Sequence, residues 1–303
     1  MENKNFKLVL WGLILLVVGT VIFFGAWSRV DYEQVTVPEE EAVRRSKTID
    51  EAFESVSISE SACDIRLEPA ADGVCRVEYS DSKYVSHKVY VKNNCLVIEE
   101  KDNRRNGFVF GLDFSGESHD LVVYLPEGEY SRLSVDSASA KLSAEEGFSF
   151  YSAEINTASG DVVLGNIVSD RLSIYSASGS VELKNIEAAG EINVGTASGT
   201  VALSNIRCRS LELGGASGDI ELENVICSGE MSVETASGDV SFERCDAREL
   251  EFETASGSIK GSLLSGKDFR IETVSGSIDV PKDSEGGICS IETVSGDAKI
   301  TID

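Results

Sequence analysis

Proline and aromatic residues are scarce in this chain of 303 residues, which has only 4 prolines and 7% aromatic side chains. Many Val, Ile, Leu, Ser, Thr and Gly residues with few bulky rings suit narrow, regular β structure. The hydrophobic fraction of 42% is nevertheless sufficient for a packed core. The composition therefore favours an all-β fold without large aromatic clusters.

Basic residues are also few, with 27 Lys and Arg against 52 Asp and Glu, which gives a formal net charge of −25. Binding to a phosphate backbone needs clustered Lys and Arg, so the charge excludes a nucleic-acid partner. The same charge opposes direct docking on anionic lipid headgroups or wall polymers unless divalent cations bridge them. The simplest interpretation is that acidity keeps a long β surface soluble and monomeric.

Motifs of metal and nucleophilic chemistry are missing as well. The seven cysteines are scattered, no C-x-x-C occurs, and there are only two histidines. This excludes a disulfide scaffold and the usual zinc-ligand spacing. His87 and His119 belong to no motif, and we interpret both as ordinary surface or cap residues. We therefore expect no enzyme activity, no catalytic residues and no cofactor.

A single long apolar run lies near the N-terminus. Residues 8–27 contain no charge, and twenty helical residues span about 30 Å, the hydrocarbon thickness of a bilayer. Two lysines precede the run, which favours a cytoplasmic N-terminus. We expect a cytoplasmic segment at 1–7, a transmembrane helix at 8–27 and a charged linker at 28–52. A cleaved signal peptide is the alternative, but its apolar region is usually shorter.

A five-residue motif recurs through the second half of the chain. Its copies read TASGD, SASGS, TASGT, GASGD, TASGD, TASGS, TVSGS and TVSGD, and successive copies are 19 or 20 residues apart. A degenerate copy, SASAK, occupies residues 137–141. Self-similarity at a fixed short period is the signature of a solenoid. The glycines of the motif are Gly160, Gly179, Gly199, Gly218, Gly238, Gly257, Gly276 and Gly296.

Apolar residues alternate on both sides of each motif, as in Leu172 and Ile174 before it and Val181 and Leu183 after it. A period of two indicates strands with one buried face. Stacked rungs would pair their backbones about 4.8 Å apart. We predict an all-β, single-stranded parallel β-solenoid (a β-helix) with 19–20-residue rungs, and we expect a right-handed coil.

The Ser-Gly corner has a structural explanation. Glycine accepts backbone angles that other residues resist, and the Ser and Thr hydroxyls can satisfy turn amides. Asn residues before a further apolar position, such as Asn185, suit the other corner for the same reason. One carboxylate per corner is too few for a calcium-binding roll. We therefore interpret the corner glycines as structural turn residues.

A row of glutamates follows from the same register. Each lies four residues before a corner glycine, so stacking would place their carboxylates about 5 Å apart. We interpret the row as a solvated face, and a weak Ca²⁺-binding strip is the alternative. Its members are Glu234, Glu253, Glu272 and Glu292.

Two cysteines are also in register, because Cys208 and Cys227 each lie nine residues after a corner glycine. Their expected Cα separation of about 4.8 Å would permit a disulfide. We favour packed thiols and leave the disulfide open. The last rung ends at residues 301–303 and would expose an edge, which makes end-to-end self-association a further expectation.

Four segments give the chain a family resemblance: Phe53-x-x-Val56-x-Ile58, Ala62-Cys63-Asp64-Ile65, Leu96-Val97-Ile98 and residues 121–126, followed by the repeated ASG-D/S corners. With these, residues 53–303 resemble the bacterial "putative adhesin" family of β-strand-repeat proteins, a domain of unknown function. Cys63 departs from the pattern, because glycine is usual at that corner. The resemblance implies a membrane-anchored, outward-facing protein with no catalytic residues to carry over. We expect irregular β rungs or a cap at 53–135 and regular repeats at 136–303.

Three functions remain open at this point. The first is a binding, adhesion or scaffold module at the cell surface, whose partner is a surface glycan or an envelope protein. The second is a regulatory or sensory subunit of an envelope-stress signalling complex. The third, a polysaccharide-active enzyme, is disfavoured because the uniform rung spacing leaves no long insertion to build a catalytic groove.

Overall fold

The computed structural model describes residues 42–103, 120–144, 147–281 and 286–303. The predicted transmembrane helix, the segment before it and His119 lie outside these ranges. No helix in the described ranges is long and apolar enough to cross a bilayer. Their secondary structure consists of strands: β1 Val43–Thr48, β2 Ser55–Glu60, β3 Ile65–Pro69, β4 Arg76–Asp81, β5 Val85–Lys92, β6 Cys95–Asp102, β7 Leu121–Leu125, β8 Glu129–Ser137, β9 Leu142–Ala144, β10 Phe148–Thr157, β11 Val162–Gly165, β12 Ile167–Ser176, β13 Val181–Ser198, β14 Val201–Cys208, β15 Ser210–Ser217, β16 Ile220–Cys227, β17 Glu230–Ser237, β18 Val240–Cys245, β19 Glu249–Ser256, β20 Ile259–Leu263, β21 Lys267–Ser275, β22 Ile278–Asp279, β23 Gly287–Ser295 and β24 Ala298–Ile302.

Successive rungs stack in register. The strand before each corner pairs in parallel with its counterpart in the next rung, as β15 does with β17, where Leu211 lies opposite Met231. The strand after the corner behaves likewise, as β14 does with β16, where Val201 lies opposite Ile220. The prediction of an all-β parallel solenoid is therefore confirmed. Its right-handedness stays a prediction.

The core is a continuous column of inward-facing side chains. Residues at alternate positions are almost completely buried, for example Ile192 and Leu203, and each buried side chain of this size contributes about 1.5–3 kcal/mol. Two rings fill the column near its C-terminal end. Phe242 of β18 and Phe252 of β19 stack with their centroids 4.6 Å apart and their planes 7° from parallel.

The corner glycines are required by close approach as well as by backbone angle. A Cβ atom built on any of the eight would lie only 1.7–2.3 Å from the carbonyl oxygen of the equivalent corner residue in a neighbouring rung. For Gly218 that oxygen belongs to Gly199, 2.2 Å away. Five of the eight also have φ in the left-handed half of backbone space, namely Gly199, Gly218, Gly238, Gly257 and Gly276.

The corners take two hydrogen-bonded forms. At Gly160 and Gly179 the backbone N–H donates to the hydroxyl of the Thr or Ser three residues earlier, at 2.9 and 2.8 Å. At later corners the N–H donates instead to a serine carbonyl of the adjacent rung, as Gly199 does to Ser217 at 3.2 Å. The buried hydroxyl groups of Thr235 and of the threonines at equivalent corners then have no hydrogen-bond partner. The hydroxyl column therefore satisfies turn amides at the early corners only.

The opposite corner carries a ladder of asparagines with positive φ. The side-chain amide of each donates to the amide oxygen of the one before it, at 2.8–3.2 Å. Asparagine tolerates this backbone region better than other non-glycine residues, as the sequence analysis expects. The ladder consists of Asn166, Asn185, Asn205 and Asn224, with φ of 52–55°.

The spatial order of the rungs differs from chain order at both ends of the stack. Strands β23 and β24 lie between the β19–β20 rung and the β21–β22 rung. At the other end, β2 lies between β6 and β8. The outer layer is therefore β21–β22 and not the last rung in chain order. Strand β22 pairs only with Ala298 and Lys299 of β24, so the described strands leave one side of residues 301–303 unpaired, and end-to-end self-association stays a prediction. Repeats with the same alternating pattern fit either order, so periodicity alone cannot distinguish them.

An antiparallel cap covers the N-terminal end. Strand β1 pairs with β4, β4 with β7, and β5 with β6. Residues 43–48 fall in the segment expected to be a linker, yet they form β1. All six of its side chains are exposed, so backbone pairing holds the strand in place and no hydrophobic periodicity marks it. Two side-chain contacts support it: Arg45 Nε lies 2.7 Å from Asp81 Oδ2, and the Lys47 ammonium donates to the carbonyl of Val89.

Candidate functional site

A shallow groove of about 850 Å³ runs along one face of the stack. Its floor is formed by equivalent positions of successive rungs, which pair as Tyr130 with Phe150, Phe150 with Ser169 and Ser169 with Ala188. These residues are buried, and the rings of Tyr130 and Phe150 lie 5.7 Å apart. The groove from Tyr130 to Cys208 crosses four rung spacings and is about 20 Å long.

The walls of the groove combine apolar and charged side chains. Tyr151 is 62% exposed and Val168 52% exposed, although inward-facing neighbours on the same strands are fully buried. Arg207 and Arg209 lie near one end, and Glu187 stands in the rung beside them. An exposed ring beside charges of both signs suits a ligand that presents both apolar and hydroxyl-bearing surfaces. Sequence analysis missed the groove because its lining follows the ordinary alternation of the repeat.

The predicted glutamate row is present, but in a different order. Glu234 lies opposite Glu253, Glu253 opposite Glu292, and Glu292 opposite Glu272. The row therefore offers one carboxylate per layer along the stack. Within the described residues, these carboxylates do not gather into a group of three ligands. The expectation of a solvated face fails for Glu253, which is only 7% exposed.

The two registered cysteines lie directly opposite each other. The Sγ atoms of Cys208 and Cys227 are 3.0 Å apart, and both residues are buried free thiols. Hydrogen bonding to Cys208, together with burial, raises the pKa of Cys227. A thiol with a raised pKa is a poor nucleophile at neutral pH, so the pair serves as packing beneath the groove.

A second polar cluster lies at the N-terminal end of the stack. Glu60 ends β2, Cys63 follows in the corner, and His87 lies on β5. Their ligand-type atoms all lie within 4.8 Å of one another. The side chains of Glu60 and His87 are completely buried, and His87 Nε2 is 3.1 Å from Glu60 Oε1. Of the two alternatives predicted for His87, a surface or a cap residue, the structure places it in the cap and buries its ring, so the surface alternative is wrong.

Burial and mutual proximity shift the pKa values of this cluster. Burial raises the pKa of Glu60 to about 7, although His87 opposes the shift. Burial also raises the pKa of Cys63. Burial alone would lower the pKa of His87, but contacts with Cys63, Glu60 and Asp81 raise it to about 11. Three ionisable groups thus lie close together at a largely buried position.

Comparison with known families assigns the fold. The family model described as Toastrack DUF4097 matches residues 53–227 and 189–303, which together cover most of the chain. The chain belongs to the Toastrack DUF4097 family. This confirms the resemblance drawn from the repeated corners. A search of curated proteins gives no match.

Three solved structures are similar to this chain at low sequence identity. A protein from Bacteroides fragilis described as a "putative adhesin" is 14% identical with a TM-score of 0.50, over 74% of this chain and 98% of that chain. A "putative adhesin" from Parabacteroides distasonis is also 14% identical, with a TM-score of 0.45 over 84% and 98%. A "putative lipid binding protein" from the same species is 19% identical, with a TM-score of 0.44 over 72% and 96%. At these identities the likeness concerns the fold alone.

The buried glutamate of the Toastrack stack predicts a specific pH dependence. Burial, followed by repulsion from Glu251, Glu234 and Glu292, raises the pKa of Glu253 from 4.5 to about 8. Between these values the folded state binds more protons than the unfolded state, so stability falls as pH rises from about 5 to 8. Glu253→Gln removes this loss. We expect the variant to match the parent chain near pH 5 and to exceed it by at least about 1 kcal/mol near pH 8.

Thermal unfolding at a series of pH values measures this difference. Glu221→Gln is the control, because Glu221 is exposed on the other sheet of the same stack. The control should follow the parent chain at every pH. A difference between Glu253→Gln and the parent chain that does not grow between pH 5 and 8 would contradict the prediction.

Proposed function

We propose that this chain is a non-catalytic binding module, held at the outer face of the cell membrane by the apolar segment 8–27, and that the groove binds an uncharged glycan chain. The observation that carries the proposal is the groove itself. The groove continues across successive rungs for about 20 Å, and Tyr151 and Val168 present apolar surface along it. An extended polymer fits such a groove better than a compact metabolite does.

Charge favours an uncharged ligand. The chain carries a net charge of −25, which repels acidic wall polymers. Within the groove, Arg207 and Arg209 are outnumbered by Glu129, Asp170 and Glu187, so the lining gives an anionic ligand no net attraction. Hydroxyl groups of a neutral sugar can accept from the arginines and donate to the carboxylates.

A binding role agrees with two further observations. The rungs keep a period of 19 or 20 residues without an inserted loop that could enclose a reaction. The Bacteroides fragilis relative is described as a "putative adhesin", and adhesion is a surface-binding role of this kind. These points support the proposal for this chain without naming the glycan.

The test uses the full chain reconstituted in nanodiscs and an array of neutral glycans. We expect Tyr151→Ala to weaken binding about tenfold, because exposed aromatic side chains dominate contact energies. Tyr175→Ala is the matched control: Tyr175 is 44% exposed but does not line the groove. It should leave binding unchanged.

Two outcomes would overturn the proposal. One is glycan binding whose affinity is unchanged by Tyr151→Ala as well as by Tyr175→Ala. The other is the absence of glycan binding together with cross-linking of the groove to a single membrane protein in intact cells, which would assign the chain to envelope signalling. An impermeant label that reaches the stack in intact cells would support the proposed topology, and protection from that label would contradict it.

A further inference from the structure

The first corner of the stack breaks the rule that the other corners follow. Glu60 lies opposite Ser137, the first residue of the hydroxyl column. Three residues later, Cys63 occupies the position that is Ala140 in the next rung and glycine in the rungs after it. The position that normally carries a small hydroxyl therefore carries the carboxylate of Glu60, and the position that is normally glycine carries the thiol of Cys63. Local departures from a repeat rule concentrate at functional sites.

The corner geometry explains why a side chain fits here. At regular corners the Cβ direction points along the stack into the preceding rung, as at Gly160, where it meets the carbonyl oxygen of Ala140. Glu60 belongs to β2, and the antiparallel cap, rather than another regular corner, lies beside this corner. The Cys63 thiol can therefore occupy the space along the stack axis, close to His87.

His87 is held in one orientation by Asp81. The Asp81 Oδ1 atom accepts the backbone N–H of His87 at 2.8 Å and lies 3.1 Å from the ring Nδ1. Arg45 in turn binds the other oxygen of Asp81. A carboxylate bound to one ring nitrogen fixes the orientation of the ring, and a metal takes the place of the proton on the other nitrogen. That other nitrogen, Nε2, faces Glu60 and Cys63.

The groups that converge here lack hydrogen bonds with one another. Glu60 Oε1, Glu60 Oε2 and His87 Nε2 are all buried without a hydrogen-bond partner, although Nε2 and Oε1 are 3.1 Å apart. Their separation is short, but the atoms are not aligned for a hydrogen bond. Buried polar atoms that converge without an aligned hydrogen bond are costly. A cation bound between them removes that cost.

The donor set identifies the cation. We propose that Glu60 Oε, Cys63 Sγ and His87 Nε2 form a zinc-binding site. Calcium and magnesium prefer oxygen ligands alone, whereas thiolate, imidazole and carboxylate together suit Zn²⁺. Tetrahedral zinc with bonds of about 2.0–2.3 Å spaces its ligands about 3.3–3.6 Å apart, and the three atoms lie within 4.8 Å of one another.

Zinc at this position adds a side-chain link between the β2 rung and the β5–β6 hairpin, which the pairing of β2 with β6 already brings together. Glu60 and Cys63 belong to a regular rung, whereas His87 belongs to the β5–β6 hairpin of the cap. Three protein ligands leave a fourth position for water. The Glu100 carboxylate, which accepts the Ser61 N–H at 2.8 Å, lies on the strand paired with β5 and adds negative charge beside the site. The metal thus reinforces the junction between the cap and the stack.

Cobalt provides the direct test, because Co²⁺ takes the place of zinc and its bond to a thiolate produces a charge-transfer absorption band. The full chain, stripped with a chelator, should take up one equivalent of Co²⁺ with this band, and Zn²⁺ should abolish the band by displacement. Cys63→Ser should remove the band, and His87→Ala should weaken binding at least tenfold. Cys95→Ser is the control, because Cys95 is a partly buried thiol outside the cluster.

Thermal unfolding gives a second, independent measurement. Zn²⁺ binds only the folded state, so it should raise the Tm of the parent chain and of Cys95→Ser, but not the Tm of Cys63→Ser. Circular dichroism establishes that Cys63→Ser is folded, and Glu60→Gln serves in its place if it is not. The proposal is overturned if the stripped chain takes up no cobalt. It is equally overturned if the thiolate band persists in Cys63→Ser, or if zinc leaves the Tm of the parent chain unchanged.

Discussion

Gly218→Ala is expected to destabilise the stack by about 3 kcal/mol or more. Gly218 has φ of +138°, and a Cβ atom there would lie 2.2 Å from the carbonyl oxygen of Gly199. The obstructing atom belongs to the backbone of a paired rung, so it cannot move without breaking ladder hydrogen bonds. Thermal unfolding gives the size of the effect, and hydrogen exchange should show that the rungs on both sides of this corner open most readily.

Three other glycines separate the two causes of the expected destabilisation, which are the close approach of a Cβ atom to a carbonyl oxygen and the positive φ. Gly160→Ala introduces only the close approach, since its φ lies outside the left-handed range while the new Cβ would lie 1.7 Å from the carbonyl oxygen of Ala140. Gly73→Ala introduces only a positive φ of +72°, because nothing lies within 4 Å, and should cost about 1 kcal/mol. Gly128→Ala introduces neither and should change stability by less than about 0.5 kcal/mol. A cost at Gly160 no larger than that at Gly128 would contradict the close-approach explanation.

Phe252→Ala should cost about 3–5 kcal/mol, because the emptied space lies in a core that cannot collapse around it. The Phe252 ring is fully buried and stacks on Phe242. Regular backbone pairing on either side holds the neighbouring rungs at a fixed spacing, which limits relaxation. Thermal and urea unfolding measure the loss, and Tyr175→Ala, an exposed aromatic truncation, is the control.

A double-mutant cycle isolates the contribution of the stacked rings. Phe242→Leu, Phe252→Leu and the double variant retain most of the apolar volume but remove the ring contact. We expect a coupling energy of about 0.5–1.5 kcal/mol. Additive effects of the two substitutions would mean that the rings act only as independent fillers of the core.

The sequence contains enough information to predict the architecture, because the repeat forces it. A glycine every 19 or 20 residues, with alternating apolar residues on both sides, permits stacked parallel rungs and little else. The asparagine corners follow in the same way from the backbone region that Asn185 and its equivalents must adopt. These sequence features are local, and each rung repeats them.

The features that sequence analysis missed depend on contacts between distant segments. His87 belongs to no motif, and its burial follows from a hairpin that packs on the first rung. The strand β1 has no apolar side chain inside and is held by backbone pairing. A usable signal was nevertheless present at the zinc-binding site: Glu60 and Cys63 are the residues at which the corner pattern fails.

The interleaved rungs give the order of synthesis a physical role. Residues 267–279 leave the ribosome before residues 287–302, yet they lie outside them. If the rungs paired in chain order as they emerged, β21 would pair with β19, and β23 could not then take its place between them. The native arrangement therefore requires either that β19 stays unpaired on this side until β23 is available, or that β23 displaces β21 from β19. Completion of this end of the stack is therefore a late, separate step in folding.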